Sequence, residues 1–236
     1  MASDKHKEED EQEVKIKLSK GDLEKVFNAL SKKYSPGYVD RKYMPRAYYD
    51  TPKLEMNDAG ISARIQYKPG KGKELGGYEQ TVKFDITDDT SSERAKGSLL
   101  RREIKDKMPD HEPDLSIVTD KKAVALLQPF VGKKLTHVFT AAIERRYFEL
   151  EVGKGKKKGT VEVAFDVGEI ILPHDGTHHP IYEIELERKG GSAAAIDKLT
   201  EEIMEIADSA EIQTLSKSQQ GSHFYRNSRK PHRPAA

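Results

Sequence analysis

Glu11-Gln12-Glu13-Val14-Lys15-Ile16-Lys17-Leu18 alternates charged with mostly apolar side chains at a spacing of two, the period of a β-strand rather than a helix. On a strand, Glu11, Glu13, Lys15 and Lys17 share one face and Val14, Ile16 and Leu18 the other. A solvated surface strand would satisfy that pattern by itself. The pattern returns near the far end of the chain, as Glu183-Ile184-Glu185-Leu186-Glu187. Three carboxylates in a row on one strand face repel one another, and cations are what make such an arrangement favourable.

The composition says where those charges are not directed. Of 236 residues, 34% are charged and 35% hydrophobic, so the core is modest. The 41 basic residues nearly cancel the 40 acidic ones, which leaves no global field for nucleic acid. Absence of cysteine excludes disulfides, thiolate metal sites and cysteine nucleophiles. No apolar run approaches the ~20 residues of a membrane helix, and the polar start lacks a signal-peptide core, so a cytoplasmic protein with no membrane partner is expected.

Along the chain, 1–10 and 227–236 are expected to be disordered, flanking one domain over 11–226. Ser19 to Asp22 can cap a helix reaching about Lys33, with Leu23, Val26, Phe27 and Leu30 on its apolar side. Strands are predicted over 46–52, 61–67, 78–84, 99–105, 140–151, 160–167, 169–172 and 181–188. A second helix is predicted over 119–131, burying Val124, Leu127, Phe130 and Val131, and a third over 192–207. Lys217 falls in the tail beyond it. Strands outnumber helices and connections are of hairpin length, so the fold class is α+β with about eight antiparallel strands. Few spare edges point to a closed eight-stranded barrel. The apolar faces need covering and three amphipathic helices are available, so the charged faces are left to line a polar bore.

That bore would hold Glu11, Glu13, Glu103, Glu162, Asp166, Glu183, Glu185 and Glu187 with Lys15, Lys17, Arg64, Lys83, Arg101, Arg145, Arg146 and Lys217. Burying so many charges is costly unless they are paired, hydrated or holding ligands. Arginine forks and lysine ammonium groups suit phosphate, and clustered carboxylates suit hard divalent cations. A merely salt-bridged barrel remains the competing reading.

Several segments, in order, resemble the CYTH, or triphosphate tunnel metalloenzyme, superfamily. Glu11-Gln12-Glu13-Val14-Lys15 is its ExExK motif, and Tyr48-Tyr49-Asp50-Thr51-Pro52 its YYDTP segment. Gly60–Arg64 is similar to GLRIR, Thr81-Val82-Lys83 to TxK and Arg101-Arg102-Glu103 to RxE. Glu162–Gly168 is similar to ExxxDxG, Glu183–Glu187 to ExExE and Ser216-Lys217-Ser218 to the late SK motif. Two positions depart from the pattern: Ser62 replaces the first arginine of GLRIR, and Gln220 stands where an arginine often follows SK. Arg145 matches the family's tunnel arginine better than Arg146, because Phe148 follows it by three residues.

The resemblance implies a tunnel fold that hydrolyses or cyclises a triphosphate with one or two Mg²⁺ or Mn²⁺ ions. It assigns phosphate binding to Lys15, Lys17, Arg64, Lys83, Arg101, Arg145 and Lys217, although the motif itself stops short of Lys17. Metal binding falls to Glu11, Glu13, Glu162, Asp166, Glu183 and Glu185, and the catalytic candidates are Lys15, Glu103 and Glu187. Inorganic tripolyphosphate is the expected small-molecule substrate, with the protein a monomer or homodimer. Thiamine or nucleoside triphosphates, adenylate cyclisation and non-catalytic polyphosphate binding are the alternatives.

Other features read plainly. Tyr48 and Tyr49 are expected in the core, and Asp50-Thr51-Pro52 closes a turn. His174, His178 and His179 belong to a solvated loop, and Lys154, Lys156, Lys157 and Lys158 form a hairpin tip. Gly70, Gly72 and Gly76 lack phosphate-loop spacing.

Overall fold

Eight antiparallel strands close on themselves in the computed structural model, which describes residues 6–70, 75–86 and 94–230. They are β1 (His6–Lys17), β2 (Asp40–Asp50), β3 (Ile61–Lys68), β4 (Gly77–Asp85), β5 (Leu99–Met108), β6 (Thr136–Val152), β7 (Gly159–Ile171) and β8 (His178–Gly191). The order β5-β4-β3-β2-β6-β7-β8-β1 is sealed by β1 pairing back to β5. β1 is therefore the seam: Glu11 lies opposite Arg101 on β5, and Lys15 opposite Glu185 on β8. Closure leaves no free edge in the barrel, and a short ninth strand, β9 (Glu211–Ile212), adds to β1 from outside.

The hydrophobic core lies mainly around the barrel. Val14 and Ile16 of β1 pack outward with Phe165, Ile184 and Leu186 beneath α1 (Lys20–Tyr34). Ser19 starts α1 by accepting the Asp22 N–H at 3.1 Å, and Ser35, in a left-handed conformation at φ 47°, ends it before Pro36. A one-turn helix, α2 (Glu55–Asp58), follows the Tyr-Asp-Thr-Pro turn. There the buried Asp50 carboxylate accepts the N–H groups of Thr51, Met56 and Asn57 at 2.6, 2.9 and 2.8 Å, which is the closing role expected of that segment. α3 (Lys121–Leu127) covers Ile61, Ala63, Val82 and Ile104 on the outer face of β3, β4 and β5. α4 (Ala194–Ile206) adds Ile196, Leu199 and Ile203 to the flank under α1.

Several expectations change. Ser216 nucleates a further helix, α5 (Lys217–Ser228), through a reciprocal capping box with Gln219, so Lys217 opens a helix rather than a tail. The predicted strand at 169–172 is the continuation of β7, and β2 begins at Asp40, well before Arg46. α3 is shorter than 119–131 and buries Ala123 with Leu127, while Val124 and Val131 are exposed. β1 starts inside the expected leader, at His6, and α5 reaches Ser228; the rest of those two terminal expectations, 1–5 and 231–236, lies outside the described residues.

The bore is not polar along its whole length. Met44, Ile143, Ile170 and Ile181 share the inward faces of β2, β6, β7 and β8 with Arg46, Arg145, Asp166 and Glu183, and they cluster with Phe139 and with Tyr225 of α5. This apolar plug fills one end of the barrel. α5 reaches it because Gly221 lets the helix touch the Phe139 ring: an added Cβ would stand 2.3 Å from it. Alanine in a helix gains up to ~1 kcal/mol over glycine, whereas overpacking a filled core costs ~1–3 kcal/mol. Phe139 is 1% exposed and has no room to yield, so the clash wins. Gly221→Ala is expected to lower the melting temperature in a calorimetric scan; an unchanged or higher value would contradict this packing.

Candidate active site

Inward side chains of the strands, joined by Ser216, Lys217 and Ser218 at the start of α5, enclose a cavity of about 280 Å³. Among the described residues, ten basic and six acidic side chains line it. They fall into two buried groups and a more open mouth.

The first group converges on Glu185. Its carboxylate accepts from Lys15 and Arg145, and from Lys217 at 2.5 Å. Arg145 also grips Asp166 through Nε at 2.6 Å and Nη2 at 2.8 Å, and Lys217 lies 2.8 Å from both Asp166 and Glu183. Lys15 is 3.2 Å from Glu13. Burial alone would raise the Glu185 pKa, but Arg145, Lys15 and Lys217 outweigh it and hold the group well below the ordinary range. Lys217 shows the converse: burial pulls it down, and Asp166, Glu183 and Glu185 hold it well above. Asp166 and Glu183 sit behind the cavity wall as counter-charges to those cations. Gln220, in place of the expected arginine, donates to Glu183 at 2.6 Å.

The second group converges on Glu103, which accepts from Arg64 at 2.9 Å and lies 3.3 Å from Lys83 and 3.1 Å from Lys105. Burial opposes its ionisation, and Lys83 leads the neighbours that hold it far below the usual carboxylate pKa. Glu11 pairs with Lys83, yet burial pushes its pKa up to about 7, and the adjacent Glu103 and Glu13 carboxylates add to the rise. Arg101 extends from the cavity to Asp85 at 2.9 Å.

At the mouth, Lys68 pairs with Glu79 at 3.1 Å, and Lys189 bridges Glu187 at 2.8 Å and Glu162 at 3.8 Å. Burial, with Glu187 next to it, raises the Glu162 pKa. Side-chain exposure falls from 47% at Lys68 to 5% at Lys217, which sets an inside and an outside.

Of the residues singled out from sequence, Glu11, Glu13, Lys15, Arg64, Lys83, Arg101, Glu103, Arg145, Glu185, Glu187 and Lys217 line this one cavity. Glu162, Asp166 and Glu183 stand just behind it. Lys17 does not join them: at the end of β1 it is 51% exposed and pairs with Glu211 of β9 at 2.7 Å. Arg146 points out, reaching Glu24 of α1 at 2.6 Å with its guanidinium over the Phe27 ring, so Arg145 is the inward arginine. Tyr49 also faces away, donating to the His111 carbonyl at 3.1 Å. Tyr48, in contrast, lines the cavity while its ring stacks on Phe139. Arg46 was legible only as the alternation partner of Tyr48 on β2. Burial, then the neighbouring Arg64 and Arg145, push its pKa down to about 10.

The donor types fit a hard cation, although here the Lys217 ammonium already lies 2.5 to 2.8 Å from all three carboxylates. Asp166, Glu183 and Glu185 bring carboxylate oxygens within 4.8 Å of one another, and among the described residues they are the one such group. Glu11 fits in a different way. Burial, with Glu103 and Glu13 beside it, raises its pKa to about 7 despite the Lys83 ammonium, so near neutral pH a proton competes for the place a cation would take.

No curated protein sequence matches the chain. Solved structures that share its fold include the following two. One is a Bacillus halodurans protein provisionally described as an adenylate cyclase (19% identity, TM-score 0.52, covering 90% of this chain and 97% of the other). The second, from Hippeastrum, is provisionally described as an adenylyl cyclase with a dominant triphosphatase activity (14% identity, TM-score 0.53, covering 94% and 98%). The CYTH domain pattern matches residues 9–222. Closed barrel, inward charges and domain match agree: the chain belongs to the CYTH domain family.

Proposed function

We propose that this protein is a cytoplasmic, metal-dependent triphosphatase, monomeric or homodimeric, that hydrolyses inorganic tripolyphosphate to pyrophosphate and phosphate inside its barrel. The observation that carries the reading is the lining itself: ten cations against six carboxylates around about 280 Å³, a site for a compact polyanion. Among the described residues Tyr48 is the only aromatic side chain in that lining, and its ring is already stacked on Phe139, so they offer no free face to a purine or thiamine ring. The triphosphatase activity described for the Hippeastrum protein is consistent with this.

Lys15, Arg64, Lys83, Arg101, Arg145 and Lys217 would grip phosphate oxygens, with Lys17 left outside. Glu11, Glu13 and Glu185 face the cavity and would hold Mg²⁺ or Mn²⁺, with Glu162, Asp166 and Glu183 behind them. When bound, one or two such ions would neutralise charge on the phosphate oxygens and acidify an attacking water. Glu103 keeps Lys83, Arg64 and Lys105 charged and aimed. Glu187, opposite Glu13 in the β1–β8 register and paired with Lys189, would order water near the mouth.

With tripolyphosphate, thiamine triphosphate and ATP offered in turn with Mg²⁺ or Mn²⁺, phosphate release is expected to be fastest from tripolyphosphate and to stop with a chelator. Cyclic AMP formed from ATP would sink the reading, and tight tripolyphosphate binding with no phosphate release would reduce the protein to a binder.

Lys83→Ala and Glu185→Gln are each expected to lower kcat/KM on the order of 100-fold with the fold retained. Gln is chosen because three cations meet at position 185, and full truncation would leave them unpaired. Full activity in both variants would defeat the assignment of this cavity.

Glu11 adds a pH dependence. Its folded pKa of about 7 exceeds the ordinary 4.5, so the folded chain binds a proton that the unfolded chain has released between those values. The metal-free protein should therefore lose stability as pH rises from about 4.5 to about 7, by on the order of 3 kcal/mol at most, with no further loss from this group above it. A metal ion must displace that proton, so binding should weaken below pH 7 and release a proton near it. Calorimetry in two buffers of different ionisation enthalpy measures this, and Glu11→Gln should abolish the proton release.

A further inference from the structure

Nine of the ten cavity cations have a carboxylate within 4.0 Å; among the described residues, Arg46 alone has none. Its guanidinium donates from Nε to Gln66 at 3.2 Å and from Nη2 to the Met44 sulfur at 3.1 Å, both neutral acceptors. Next to it stands a second deficit. Arg64 spends Nη2 on Glu103 and Nη1 on the Tyr48 hydroxyl at 3.5 Å, while its Nε is buried without a partner. A sequestered cation with no counter-ion and a sequestered donor with no acceptor are both unfavourable in an empty cavity. Both are satisfied at once by an anion carrying several oxygens.

We propose that Arg46, the unpartnered Nε of Arg64 and the Tyr48 hydroxyl form a dedicated phosphoryl subsite, apart from the group built on Glu185 and adjoining the Glu103 group through Arg64. The inference rests on the triphosphate reading of the cavity and assigns one phosphoryl group of that substrate to a residue outside every recognised motif of the chain. The other cations must exchange a protein carboxylate for substrate, at least in part, whereas Arg46 has nothing to give up. It therefore contributes more to binding than its carboxylate-paired neighbours.

The test is titration of the full-length protein with tripolyphosphate, alongside thermal melting of the ligand-free protein, for Arg46→Met, Arg46→Lys and Lys83→Ala. Arg46→Met should bind about 10- to 100-fold more weakly, yet melt at the same or a higher temperature because an unpaired charge is gone. Arg46→Lys should recover part of the affinity. Unchanged affinity in Arg46→Met overturns the subsite, as does weaker binding accompanied by a lower melting temperature, which marks a structural role. If Lys83→Ala also binds normally, the triphosphate reading of the cavity fails; if Lys83→Ala binds weakly and Arg46→Met does not, only the subsite fails.

Discussion

Glu185 is held by Lys15, Arg145 and Lys217, and those three cations come from β1, β6 and α5. One carboxylate on β8 thus ties the seam strand of the barrel, the β6 wall three strands round from it and the last helix of the described chain. Removing one partner of a buried pair costs ~3–5 kcal/mol, because the remaining charge is stranded. The same pairs that keep the cavity charged keep its walls in register. No cation paired to Glu185 is free to become apolar alone.

That constraint explains why the molecule is built with most of its core outside. Each strand must offer one face to charge and one to hydrocarbon, and a closed sheet sends those faces in opposite directions. Val14, Ile16, Phe165 and Leu186 turn out beneath α1 and α4, and Ile61, Ala63 and Val82 turn out beneath α3. The helices take over the work that an inward core does in an ordinary small barrel. Where the charge pattern stops, at Met44, Ile143, Ile170 and Ile181, apolar side chains turn inward and the cavity stops too.

Period-two alternation made most of this legible. It separated Glu11, Glu13 and Lys15 from Val14 and Ile16 but left both Arg145 and Arg146 as candidates, and it was the family resemblance, through Phe148 three residues on, that selected Arg145. It failed where spacing does not decide direction. Lys17 has the right parity but lies at the end of its strand, where β9 supplies Glu211 instead of a cavity. Lys217 carries the right chemistry on an element that no strand pattern announces, since α5 depends on a capping box and on a glycine pressed to Phe139. The plug was hidden because inward isoleucines look the same in sequence as outward ones. Arg46 was hidden because a lone arginine on a β-strand reads as solvent-facing until its neighbours are known.

The plug also gives the barrel a direction of traffic. An elongated anion that entered past the more exposed Lys68 and Lys189 would meet the buried Tyr48 and the largely buried Arg145 last. What enters first leaves last. If the anion is cut within the chamber, the inner fragment waits for the outer one to clear, among the most deeply buried cations in the molecule. Turnover then depends on emptying as much as on cutting, and the salt bridges that reclose around Glu185 compete with the retained fragment for the same cations.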